Sequence, residues 1–98
     1  MDRSAVISFL QDHKREFTER FGIAQIALFG SFARDEATEE SDIDLLVTYV
    51  SEPGDVYSNK RDFKQLLHDY FHRNIDVANE KYLKPFAKDA ILKDAIYV

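Results

Sequence analysis

The chain has 98 residues, 45% of them hydrophobic, which leaves room for one domain over 1–98 with one core and excludes a disordered chain. A net charge of −5 argues against a protein that wraps nucleic acid by bulk electrostatics, so no direct nucleic-acid binding is expected. With no cysteine there are no disulfides or thiolate metal sites, and with only strand-sized apolar runs there is no membrane span or signal peptide; a cytoplasmic protein is expected.

Taken in chain order, Val6, Phe9, Leu10, Phe17 and Phe21 fall on one stripe at helical spacing. Asp2 or Ser4 can cap this helix, and Gly22 sits where it would stop. Residues 23–29 are short and mostly apolar, closed by Gly30, and predict a strand buried on both faces. A short helix is expected from Ser31 to about Arg34, then an acidic loop up to Ser41. Residues 43–50 predict a second strand rich in branched side chains, followed by a turn over 51–54. Phe63, Leu66, Leu67, Tyr70 and Phe71 mark an amphipathic helix, and residues 75–78 a third strand. Pro85 suits the first turn of a final helix carrying Phe86, Ile91, Leu92 and Ile96. The order α-β-α-β-α-β-α predicts an α/β (α+β) protein with a small mixed three-stranded sheet flanked by helices.

Three features carry chemistry. Gly30 and Ser31 stand at the junction of a buried strand and a short helix. Asp42 and Asp44 are two residues apart at the start of the second strand, and Asp76 lies between apolar Ile75 and Val77 on the third. Alternate side chains of a strand share a face, so Asp42 and Asp44 point away from Ile43 and Leu45, with α-carbons roughly 6–7 Å apart. That spacing lets both carboxylates converge on one hard cation, or bracket a pair about 3.5–4 Å apart. Gathered on one face, the three carboxylates would repel each other unless something positive sits among them, and magnesium with a triphosphate is the economical answer. Gly30 bares the backbone where a phosphate approaches, Ser31 adds a hydroxyl beside the free amides of a helix start, and Arg34, one turn on, can reach the same phosphates. Singly, each feature reads as blandly as a solvated turn, a helix cap or a surface arginine; their conjunction on one face is what points to a site. Ser41 reads as a loop-fixing residue. His13, His68 and His72 read as surface or helix residues without a role.

The stretch Gly30-Ser31-Phe32-Ala33-Arg34, then Ser41-Asp42-Ile43-Asp44-Leu45-Leu46-Val47, with Asn74-Ile75-Asp76-Val77 as a third element, resembles the signature of the DNA polymerase β-like nucleotidyltransferases. The variants present look most like the stand-alone minimal nucleotidyltransferases of bacteria and archaea, many of which act as antitoxin to a HEPN-type ribonuclease toxin. The resemblance implies a two-magnesium enzyme in which Asp42 and Asp44 hold both metals and Asp76 completes the site of the ion that activates the nucleophile. It implies AMP transfer from ATP to a tyrosine of a partner toxin in a hetero-oligomer. One departure is Asp35, where many relatives carry glycine; aspartate tolerates left-handed backbone better than most residues.

Two other readings compete. A non-catalytic antitoxin would neutralise its partner by covering it, but three mutually repelling carboxylates argue for use. A small-molecule nucleotidyltransferase would need an acceptor domain, for which the stretch after Asp76 is short. The acceptor surface is therefore expected from a partner or an oligomer. Phe86, Ile91, Leu92, Ile96 and Tyr97 exceed what one small sheet can cover and supply a docking face, whether for a partner or for a second copy.

Overall fold

The structure, a computed structural model, describes residues 1–51 and 53–98; Glu52, within the turn expected over 51–54, lies outside the described residues. Helix α1 (Arg3–Phe21) begins where the Asp2 carboxylate accepts the Ala5 amide at 2.9 Å and ends at Gly22 in left-handed backbone, φ 71°. Both ends thus satisfy backbone groups that a helix leaves unpaired. The expected stripe is its buried face: Val6, Phe9, Leu10, Phe17 and Phe21 all sit in the core. Strand β1 (Ile23–Phe29) follows, then the four-residue helix α2 (Gly30–Ala33), strand β2 (Ile43–Tyr49) and helix α3 (Val56–Phe71). Strand β3 (Ile75–Asn79) leads through a 3-10 turn at Glu80–Tyr82 to helix α4 (Pro85–Leu92), with Pro85 at its first turn.

One element departs from expectation. Ile96, expected on the final helix, lies instead on a fourth strand, β4 (Ile96–Tyr97), so the sheet has four strands in the order β3-β2-β1-β4. Helix α4 stops at Leu92, and Ile96 and Tyr97 pair antiparallel with Leu28 and Ala27. The Val98 amide extends the ladder to the Ile26 carbonyl at 3.0 Å. Without this pairing β1 would present that edge unpaired, and branched and aromatic side chains favour the extended state over a continued helix.

Strand β2 is antiparallel to β1 and parallel to β3. The registers set Ile26 and Leu28 beside Val47 and Leu45, and Ile43 and Leu45 beside Ile75 and Val77, so one sheet face is continuously apolar. It forms a single core cluster with α1 and α3, in which Phe17 meets Phe63 edge-on at 5.1 Å. Each such fully buried side chain contributes roughly 1.5–3 kcal/mol relative to exposure. Ala27 and Leu46, of opposite parity, are buried as well, so β1 is covered on both faces over residues 26–28, while Gln25 is exposed. The same opposite parity holds Asp44 and Asp76, and that face carries the site. No described helix is long and apolar enough to cross a membrane.

Candidate active site

Strand β1 ends at Phe29 directly opposite Asp44, and the chain then turns at Gly30 with φ 75° into α2. That left-handed backbone favours glycine. A second reason is steric: a Cβ on Gly30 would collide with the Asp44 carboxylate and stand 3.0 Å from its Cγ. The bare Cα expected beside a phosphate is thus also the space into which Asp44 folds its carboxylate.

Asp76 is the register partner of Asp44 across the parallel β2–β3 ladder, and Asp42 is exposed just before β2 begins. Partial burial, with the charges of Asp76 and then Asp42 added to it, pushes the Asp44 carboxyl above the ordinary carboxylate range; Arg34 acts in the opposite sense. Asp44 therefore feels the charges of both aspartates expected to act with it. Among the described residues no three histidine, aspartate or glutamate side chains already stand close enough to grip an ion. The three share a neighbourhood and not a closed cage. Their chemistry fits a hard divalent cation: oxygen donors only, on one sheet face, in mutual repulsion that positive charge would relieve.

Asp42 is placed by a clamp that sequence reasoning missed. The Arg73 guanidinium donates to the carbonyls of Thr38, Glu39 and Ser41 at 2.8, 3.1 and 3.0 Å, and lies 5.1 Å over the Phe32 ring. Within the same loop the Ser41 hydroxyl accepts the Thr38 amide at 2.8 Å, so Ser41 does fix the loop. The Ile43 amide then donates to the Asn74 carbonyl at 3.0 Å, tying the start of β2 to the approach of β3. No spacing rule marks Arg73; only its place next to Asn74-Ile75-Asp76 hinted at it.

Ser31 is half-buried at the first turn of α2. Arg34 sits at the rim, near enough to influence Asp44, and its guanidinium donates to Asp94 at 2.8 Å and Glu36 at 3.2 Å. Asp94, from the turn after α4, was likewise invisible to pattern reading because it lies 60 residues away in sequence. The histidines serve local structure: His13 Nδ1 bonds the Phe9 carbonyl, His68 Nδ1 the Arg73 carbonyl, and His72 ends α3 in left-handed backbone.

Asp35 adopts φ 61°, so the position where the resemblance leads one to expect glycine is left-handed. Asp35→Gly is expected to leave stability unchanged or slightly raised. Asp35→Val, branched where φ is positive, should cost roughly 1–2 kcal/mol. Urea midpoints of the two variants check this; coincident midpoints would mean that the turn does not depend on its backbone region.

Residues 10–98 match the family model described as nucleotidyltransferase domain. The protein adenylyltransferase MntA of Thermococcus cleftensis is 33% identical over 91 residues, 93% of this chain and 90% of its own length. Among solved structures, one of a protein assigned as a minimal nucleotidyltransferase superposes with a TM-score of 0.79 at 30% identity, over 98% of this chain and 95% of that one. A chain from the complex of a tri-AMPylated Shewanella oneidensis HEPN toxin with its MNT antitoxin gives a TM-score of 0.60 over 97% of this chain and 66% of that one. At 16% identity, that last likeness is one of fold.

Proposed function

The chain belongs to the nucleotidyltransferase domain family, and on that premise we propose that it is a protein adenylyltransferase acting on a HEPN-type toxin partner. In this reading residues 1–98 form one catalytic domain that works in the cytoplasm within a hetero-oligomer and moves AMP from ATP to a tyrosine hydroxyl of the toxin. The observation that carries it is the placement of Asp44 between Gly30 and Asp76, with Asp42 close by, on the sheet face away from the core cluster.

The reaction joins the acceptor oxygen to the α-phosphorus of ATP and breaks the bond from that phosphorus to the β-phosphate, releasing pyrophosphate. Asp42, Asp44 and Asp76 are the residues that would hold two magnesium ions, which supply a lowered hydroxyl pKa and charge neutralisation on the leaving group. Asp76, exposed on the edge strand β3, is suited to accept the hydroxyl proton. Gly30 and Ser31 offer backbone and a hydroxyl to the phosphates. Arg34, held by Asp94 and Glu36 and near enough to act on Asp44, would meet the same phosphates. A protein acceptor is supported by part of the face expected from sequence: Phe86 is 88% exposed and Leu92 and Tyr97 are exposed, as is Tyr82, whereas Ile91 and Ile96 are half-buried.

Co-expression with a HEPN-type toxin partner, followed by intact mass spectrometry, is expected to show added AMP on the toxin. Asp76→Asn should slow labelling roughly a hundredfold while leaving the fold intact. A toxin left unmodified yet still neutralised by Asp76→Asn would favour an antitoxin that acts by covering alone.

A further inference from the structure

The carboxylate row divides this sheet face in two. On its β1 side Asp44 meets Phe29 and Gly30, with Ser31 and Arg34 beyond; on its β3 side it meets Asp76. Past Asp76, at the β3 edge of the sheet, an open groove of about 750 Å³ runs between the start of β3 and helix α3. Asp42 and Asp76 form one wall, and Tyr57, Lys60, Arg61 and Lys64 of α3 form the other. Lys60 and Lys64 are one helical turn apart, so they share a helix face. Among the described residues neither lysine is in an ion pair, and Arg61 pairs with its exposed neighbour Asp62 at 3.3 Å and is felt by the exposed helix cap Asp55. In a chain of net charge −5, a cationic wall opposite two aspartates is a local inversion of charge.

We propose that this groove receives the acceptor, and that Lys60, Arg61 and Lys64 select a protein segment whose acceptor tyrosine is flanked by acidic side chains. The proposal rests on the reading above that the acceptor is a protein hydroxyl. A volume of this size falls in the range of whole-ligand sites, so it holds a phenol side chain together with its neighbours in sequence. Tyr57, 81% exposed at the groove, offers an aromatic surface to that phenol. In the reading above the donor's phosphates lie on the opposite side, at Gly30 and Ser31. Three cations on one short wall are few for a nucleic-acid backbone, whose binders commonly contact six or more phosphates.

The test uses the whole chain and two synthetic peptides, each with one central tyrosine flanked either by glutamates or by glutamines. Anisotropy titrations without nucleotide should show the glutamate peptide binding about tenfold more tightly, with the advantage shrinking as salt rises. The triple variant K60Q/R61Q/K64Q, altered only outside the buried core, should lose that preference while keeping its thermal midpoint and its affinity for Mg-ATP. Equal binding of the two peptides, or an unchanged preference in the triple variant, overturns the proposal. So does a drop in Mg-ATP affinity, which would give the wall to the donor's phosphates, or an RNA oligonucleotide that displaces the acidic peptide at lower concentration. Because binding is read without transfer, the two claims separate. Selective binding of the acidic peptide by a chain that labels no acceptor would uphold the groove and defeat the catalytic reading.

Discussion

Asp44→Asn is expected to abolish AMP transfer and at the same time to make the metal-free protein more stable at neutral pH. Both follow from one geometry. Asp44 is partly buried, with the Asp76 and Asp42 charges beside it, and its carboxyl is held above the ordinary carboxylate range. For an acid whose pKa is higher folded than unfolded, the proton is bound more tightly by the folded state. Its contribution to stability is complete below the ordinary carboxylate pKa and is lost as pH rises through the raised value. At pH 7 the ionised group therefore works against the fold, and asparagine removes that opposition while nearly conserving shape. Thermal midpoints in a chelator should favour Asp44→Asn at pH 7, and the advantage should vanish in acid. Magnesium should reverse the order, because a bound ion stabilises only the protein that holds it, by about 2.7 kcal/mol at a hundredfold excess over Kd. Transfer should fall about a thousandfold or more, in keeping with the several kcal/mol that a metal contributes to charge stabilisation. A variant that transfers AMP at the wild-type rate, or one less stable than wild type in the chelator at pH 7, would remove Asp44 from the centre of the site.

The opposition between stability and use explains which parts were legible from sequence. Strand β1, the burial of α1 along Val6, Phe9, Leu10, Phe17 and Phe21, and the shared face of Asp44 and Asp76 all follow from side-chain periodicity, which is a local property. The left-handed turn at Asp35 was also legible, because the departure from glycine was itself a conformational statement. The rest depended on contacts between residues distant in the chain. Arg73 reaches the Thr38–Ser41 carbonyls across more than 30 positions, and Asp94 reaches Arg34 across 60. Neither pairing leaves a periodic trace. Strand β4 was misread because Ile91, Leu92 and Ile96 fit helical spacing, while the partner that claims Ile96 is an edge of β1 far away in sequence. Pattern reading finds what a segment prefers alone; it does not find which distant edge needs covering.

Gly30 is where local and distant demands meet, and Gly30→Ala is expected to damage both fold and activity. Its φ of 75° costs an L residue about 1–2 kcal/mol wherever the neighbours stand. The second cost is particular to this site, because the new Cβ would collide with the Asp44 carboxylate and stand 3.0 Å from Asp44 Cγ and 3.3 Å from Asp44 Cβ. The carboxylate is the far end of a side chain and can swing aside, so most of this second cost should fall on function. A displaced Asp44 no longer faces Asp76, and misplacement of a reacting array by about 1 Å can cost a hundredfold in rate. A double-mutant cycle separates the two terms. In the Asp44→Ala background the carboxylate is gone, and Gly30→Ala should lose only the backbone cost. In the wild-type background it should lose more, and transfer should fall at least a hundredfold beyond what the reduced folded fraction explains. If the stability loss is the same in both backgrounds and the activity of the folded variant is intact, then Gly30 serves its turn alone, and the contact with Asp44 has no part in shaping the site.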